Sequence, residues 1–183
     1  YTMVYGIAKM LNFAHGDIIM VGAYAVISTV SLAQLPGVVG VAVSVVVCVF
    51  LGVTIEFLAY RPLRKAPSLA VLITAIGVSY LLQSLALLVF KSEPKAFPTI
   101  IEIPSLTFGG VVVDGMTLLT LAVTAVIMIS LSLFINKTKL GKAMRAVSED
   151  KDAAELMGIS VNRTITMTFA IGSALAAVAS VFY

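Results

Sequence analysis

The sequence predicts an all-α, polytopic integral membrane bundle with at least five membrane segments. Three observations carry that expectation. The chain of 183 residues is 60% hydrophobic and only 11% charged, where a water-soluble domain carries about a quarter charged residues. Its apolar stretches are long and lack the period-2 alternation of barrel strands, so helices rather than a β-barrel cross the bilayer. Its basic residues gather in alternate polar gaps, as they do in multi-pass proteins.

The spans follow in order. Residues 18–35 are apolar and end at Pro36-Gly37, a tight-turn signal. Residues 38–58 form a second span, long enough at about 1.5 Å per residue to cross about 30 Å of hydrocarbon. Residues 60–67 (YRPLRKAP) make a basic loop bounded by prolines, and 68–90 is the third span. Residues 91–115 carry Pro94, Pro98, Pro104, Gly109-Gly110 and the β-branched runs at 99–101 and 111–113. That composition suggests an extended or hairpin-like element outside the bilayer. Residues 116–135 are the fourth span, and 164–183 begin a fifth. The chain opens Tyr-Thr-Met-Val-Tyr and stops inside an apolar stretch, which reads as part of a longer protein. Residues 1–183 are thus expected to be one partial transmembrane domain.

Basic residues set the orientation. The 59–67 loop has Arg61, Arg64 and Lys65 with no acid, and 136–163 has six basic residues. The 91–115 loop sets Lys91 and Lys95 against Glu93, Glu102 and Asp114. This arrangement predicts that 59–67 and 136–163 are cytoplasmic and 91–115 external. A net charge of +3 distributed in this way gives no reason to expect a nucleic-acid partner. Cys48 is the only cysteine and His15 the only histidine, so no disulfide or metal site is expected.

The segment 137–163 is a charge-dense island between two apolar stretches. A simple helix connection needs only a short turn, so this length points to a surface gripped by a partner. Ser148 reads as an N-cap, with Glu149 and Asp150 in a favourable first turn. Gly158 stands where a left-handed C′ residue is wanted, with Ile159 packing back. The expected helix runs over 149–157, with Ala153, Ala154 and Met157 as a small-residue face, and 142–147 continuing the preceding span. The other reading is an amphipathic connector on lipid headgroups.

Asp152-Ala-Ala-x-x-x-Gly158 resembles the coupling loop of ATP-binding-cassette importer permeases, with Asp for the usual Glu. Asn12-Phe-Ala-His-Gly-Asp17, Tyr60-Arg-Pro-Leu-Arg64 and Arg145-Ala-Val-Ser-Glu-Asp150 with Met157-Gly-Ile159 are similar to branched-chain amino-acid permeases of the LivH-like kind. The resemblance runs through the whole chain. It implies a transport subunit, not an enzyme, in a bacterial plasma (inner) membrane. A second permease subunit, two ABC ATPase subunits and a periplasmic or extracellular amino-acid-binding protein would complete the assembly within the lipid bilayer. Residues Glu149, Asp150, Asp152, Ala153, Ala154, Met157 and Gly158 would dock on the ATPase. No G-x-x-x-x-G-K-[ST] loop occurs, so ATP would be handled by the partner, and no cofactor is expected.

Pathway candidates are Asn12, His15, Gly77, Tyr80, Gln83 and Ser84. Asn12, His15 and Asp17 form a polar cluster at the mouth of the first full span, although Asp17 also suits an ordinary helix start. Gly77, Tyr80 and Ser84 share one helical face beside Gln83 and either line a pathway or pack between helices. Glu56 is expected to pair with Arg61 or headgroups rather than to relay protons. Gly172, Ala176 and Ser180 form a small-residue stripe for close packing. Asn162 or Thr164 is expected to cap the last helix. Two other functions remain open: a urea or short-amide permease of the same fold, and an autonomous secondary carrier or channel. The second would need repeats or intramembrane charges that are scarce here.

Overall fold

The computed structural model describes residues 2–8, 12–64, 66–91, 97, 104, 106–108 and 111–182. In order these form α1 (Thr2–Ala8), α2 (His15–Ile27), α3 (Gly37–Ile55), α4 (Ser68–Phe90), β1 (Leu106–Phe108), β2 (Val111–Val113), α5 (Gly115–Lys137), α6 (Lys139–Glu149), α7 (Lys151–Leu156) and α8 (Val161–Phe182). Four helical segments, Gly37–Tyr60, Leu69–Phe90, Gly115–Lys137 and Val161–Phe182, are long and apolar enough to cross a membrane. The remaining expected span is the shorter apolar helix His15–Ser31. The described residues therefore form an all-α membrane bundle with one small hairpin, in which four helices reach full spanning length.

Two helices end in π-helical turns. α2 runs on through Ser28–Leu32 and α3 through Glu56–Tyr60. The Ala33 amide reaches the Ser28 carbonyl at 3.2 Å and the Arg61 amide the Glu56 carbonyl at 2.8 Å, both five residues back. Such wide turns rotate the side chains that follow them and recur at functional positions. Pro36 and Pro67 immediately precede α3 and α4 with φ of −56°, a value fixed by the ring and ready for a helix start.

The core lies where α2, α3 and α8 pack on one another, with α1 against α8. Lipid tails are as apolar as leucine, so small residues and hydrogen bonds must hold such helices together. The expected stripe on α8 serves this purpose. Gly172, Ala176 and Ser180 are all buried, and a β-carbon at Gly172 would meet Val4 at 2.8 Å. The Gly22 position approaches Ser180, Cys48 and Ser44 just as closely. There the Ser44 hydroxyl donates to the Gly22 carbonyl at 3.1 Å and the Cys48 thiol to the Ile18 carbonyl at 3.4 Å. α5 differs, since Gly115 is its only buried residue.

The hairpin expected within 91–115 is present as β1 and β2, antiparallel with Thr107 opposite Val112. The 99–101 run, Pro94, Pro98 and Gly109-Gly110 lie outside the described residues.

Candidate functional site

The polar island folds as two helices set at corners. Thr138 leaves the helical region (φ −92°, ψ 156°), and its hydroxyl accepts the Gly141 amide at 3.0 Å, capping α6. Gly141 lies so close to the Ile135 backbone that a β-carbon would collide with it. The expectation that 142–147 prolongs the preceding span is therefore corrected. The threonine cap stops α5 and starts a separate helix, which buries Gly141, Met144 and Val147.

The second corner is Asp150, extended at φ −148°, ψ 117°. Its carboxylate accepts the amides of Asp152 at 2.9 Å and Ala153 at 3.1 Å. Ser148 lies inside α6, where its hydroxyl donates to the Arg145 carbonyl at 2.6 Å. The cap is thus Asp150 rather than Ser148, Glu149 ends α6, and the short helix is Lys151–Leu156. A carboxylate taking two amides makes charge-assisted bonds, whereas a serine can satisfy its hydroxyl within a helix.

The other end matches the sequence expectation. Gly158 has φ +80°, its amide donates to Glu155 and the Ile159 amide to Ala154, each at 3.0 Å. This is the paired closure that a left-handed C′ residue completes, and Ile159 packs on the core.

Which face of α7 points outward differs from the expectation. Ala154 is 4% exposed and belongs to the core, while Leu156 is 89% and Met157 82% exposed. Ala154 is therefore turned into the bundle and does not share the outward face with Ala153. Asp152, Ala153, Leu156 and Met157 face out with Glu155. Leu156 escaped the sequence reading, although its spacing of three from Ala153 was the available signal. Lys151 anchors the helix by donating its ammonium to the Ala8 carbonyl at 3.0 Å.

A buried polar network joins the end of α3 to α8. Glu56, wholly buried, pairs with Arg64 and accepts the Thr166 hydroxyl at 2.8 Å. The Arg64 guanidinium also donates to the Asn162 side chain. The expected Arg61 partner instead lies over the Phe57 ring, 5.1 Å from its centroid. The π-helical turn and the bend at 61–64, closed by the Leu63 amide on the Tyr60 carbonyl at 3.1 Å, bring the second arginine back under Glu56. Neither expected cap of α8 acts as one. Asn162 is engaged by Arg64, and the buried Thr164 donates to the Ser160 carbonyl at 3.0 Å. From the same π-helical turn, the Tyr60 hydroxyl donates to the Asn12 side chain at 3.0 Å, and its ring meets Phe169 at 5.4 Å.

The pathway candidates divide. Asn12 is buried under Tyr60, and His15, half-buried, opens α2. Gly77, Tyr80 and Ser84 all face outward from α4, so they do not pack between helices of this chain. Gln83 points back from that face to Asp17, its amide donating to the carboxylate at 3.0 Å. Ser79 donates to the other carboxylate oxygen. Asp17 therefore bridges α2 to α4 and does not cap α2, whose N-cap residue makes no side-chain bond. Between α5 and α8 lies an apolar groove of about 350 Å³ lined by Val126, Ile127, Ser130, Leu131, Phe134, Ile171 and Leu175. It holds no charged group.

The chain is thus a multi-pass membrane bundle that presents a short helix capped at both ends. The family model for the branched-chain amino acid transport system permease component matches residues 1–183, and the chain belongs to that family. It is 43% identical over 194 residues to the high-affinity branched-chain amino acid transport system permease protein BraD of Pseudomonas aeruginosa, an alignment covering 99% of this chain and 63% of the relative. It is 36% identical over 193 residues to LivH of Salmonella typhimurium, with the same coverage. Identity to a probable branched-chain amino acid transport permease protein LivH of Methanocaldococcus jannaschii is 28% over 188 residues, 97% of this chain and 58% of that protein. The chain thus spans less than two thirds of the length of these relatives. No solved structure matches it.

Proposed function

We propose that this chain is part of the membrane-spanning subunit of an ATP-driven importer for branched-chain or similar small neutral amino acids. A second permease subunit faces it across the pathway, and a binding protein delivers substrate on the side of the β hairpin. ATPase subunits on the cytoplasmic side grip α7 and hydrolyse the ATP. The basic loops 59–67 and 136–163 lie on that same side. The protein spans the plasma membrane several times.

The observation that carries this reading is the outward pair Leu156 and Met157. Two large apolar side chains, 89% and 82% exposed on a charged segment, make a poor solvated surface but a good anchor for a partner's cleft. The docking residues are then Asp152, Ala153, Leu156 and Met157, with Asp150 and Gly158 fixing the ends of the helix and Ala154 holding it to the bundle. ATP binding draws the ATPases together, and α7 passes the movement to α8 through Ile159 and the Glu56–Arg64–Asn162 network.

Replacing both anchors tests this. The double variant Leu156→Asp/Met157→Asp should insert normally yet lose co-purification of the ATPases and ATP-driven leucine uptake by at least tenfold, the effect of about 1.4 kcal/mol. Undiminished co-purification and uptake would show α7 to be a surface connector.

A further inference from the structure

We propose that Asp17, with Ser79 and Gln83, forms a mid-membrane site that receives the ammonium group of the transported amino acid. This rests on the importer reading above and assigns the group that recognises one end of its substrate.

Depth is the first argument. Ser79 stands at the midpoint of α4 (Ser68–Phe90), about 16 Å from either end at 1.5 Å per residue. The Asp17 carboxylate bonded to it is therefore level with the middle of α4, deeper in a hydrocarbon layer about 30 Å thick than the mouth of the span where the sequence reading put it. A carboxylate at that depth is costly and marks a functional position by default.

Its partners supply the second argument. Asp17 is 8% exposed and is held by two neutral donors, the Ser79 hydroxyl and the Gln83 amide, the latter also reaching the Ser79 oxygen at 3.2 Å. Among the described residues the only ion pair is Arg64–Glu56, so no described cation pairs with Asp17. An ionised carboxylate has about four acceptor positions, and two are taken. The open ones suit an N⁺–H donor, with which a carboxylate forms its strongest hydrogen bonds.

The third argument is the route to it. Gln83 is exposed, as are Tyr80 and Ser84 beside it on the outward face of α4. They form a polar patch within an exposed surface that is otherwise apolar, Ile76, Leu81 and Leu88 included, and such a patch suits a polar ligand better than lipid. Tyr80 and Ser84 there offer hydroxyl donors for a carboxylate. A zwitterion therefore meets an acceptor for its ammonium and donors for its carboxylate within one helical turn. A substrate without an ammonium group, such as an amide or urea, would leave the Asp17 charge uncompensated.

The test uses the assembled permease–ATPase complex in proteoliposomes without binding protein, so that only the membrane site selects. Leu87, exposed one turn beyond Gln83, is replaced (Leu87→Cys in a Cys48→Ala background) and its alkylation rate measured with millimolar ligands. Leucine and 3-methylbutylamine, which keeps the ammonium, should each slow alkylation several-fold, and 4-methylpentanoate, which lacks it, should not. Asp17→Asn should abolish both protections. Equal protection by 4-methylpentanoate, or none by any ligand in a complex that still takes up leucine with ATP and binding protein, would overturn the site while leaving the importer reading intact. The comparison of ligands stands even if Asp17→Asn fails to assemble. Absence of any ATP-driven leucine uptake by the unsubstituted complex would instead defeat the importer reading, and the site with it.

Discussion

Glu56 and Asp17 are both buried carboxylates within membrane helices, and the chain treats them in opposite ways. Glu56 is paired with an arginine and takes a further hydroxyl from α8. Among the described residues Asp17 receives only a hydroxyl and an amide from α4. A buried charge with a charged partner is already compensated, and removing that partner exposes the full desolvation cost. A buried charge held by neutral donors is satisfied in hydrogen bonds but not in charge. The first arrangement fits a fixed clasp at the end of the bundle that carries α7. The second fits a position that a mobile cation completes.

The largest expected effect is at the clasp. Arg64→Met leaves Glu56 buried and unpaired, at a cost of about 3–5 kcal/mol, or about 10 °C in melting midpoint for a chain of this size. The double variant Glu56→Leu/Arg64→Met removes both charges and should recover most of that loss. Cys48 is buried and is the only cysteine, so its reaction with a thiol-sensitive dye reports the melt directly. A single variant as stable as the parent would mean that water reaches Glu56 freely and that the contrast with Asp17 is one of geometry alone.

Thr166→Val sharpens the same side of the comparison. It removes one hydrogen bond to a charged acceptor, worth about 1.5–3 kcal/mol, and keeps the shape of the side chain. The same dye melt should fall by less than for Arg64→Met. An equal fall would make the α8 hydroxyl, rather than the arginine, the principal partner of Glu56.

How far the sequence revealed these sites depended on whether a contact is local. Gly158 was legible because the left-handed closure needs only glycine and the apolar residue after it. The helix starts after Pro36 and Pro67 were legible for the same reason. Ser148 and Asp150, two residues apart, are both residue types that cap helices, and the sequence reading chose Ser148. The choice went to Asp150 as Val147 and Ala154 both turned into the core. The partner of Glu56 was misread because Arg61 lies one ordinary helical turn away, whereas a π-helical turn and a bend deliver Arg64. Asp17 and Ser79 are 62 residues apart, and no local pattern connects them. An acid just inside a span was the one available signal, and it competed with an equally sound reading as a helix start.

Asp17→Asn should have the smallest effect on stability, and the reason is specific to its donors. An asparagine side chain has nearly the size and shape of aspartate, so packing of α2 on α4 is kept. Its carbonyl oxygen can still accept the Gln83 amide. Its new amino group can donate to the Ser79 oxygen, whose hydroxyl hydrogen rotates to another acceptor. Both bridging hydrogen bonds survive, and a charge that no described cation pairs with is removed. The dye-monitored melting midpoint should therefore stay within about 1 kcal/mol of the parent, or about 2–4 °C, while transport is lost. A fall as large as that of Arg64→Met would erase the contrast and make Asp17 a second clasp, with α4 held to α2 by its charge.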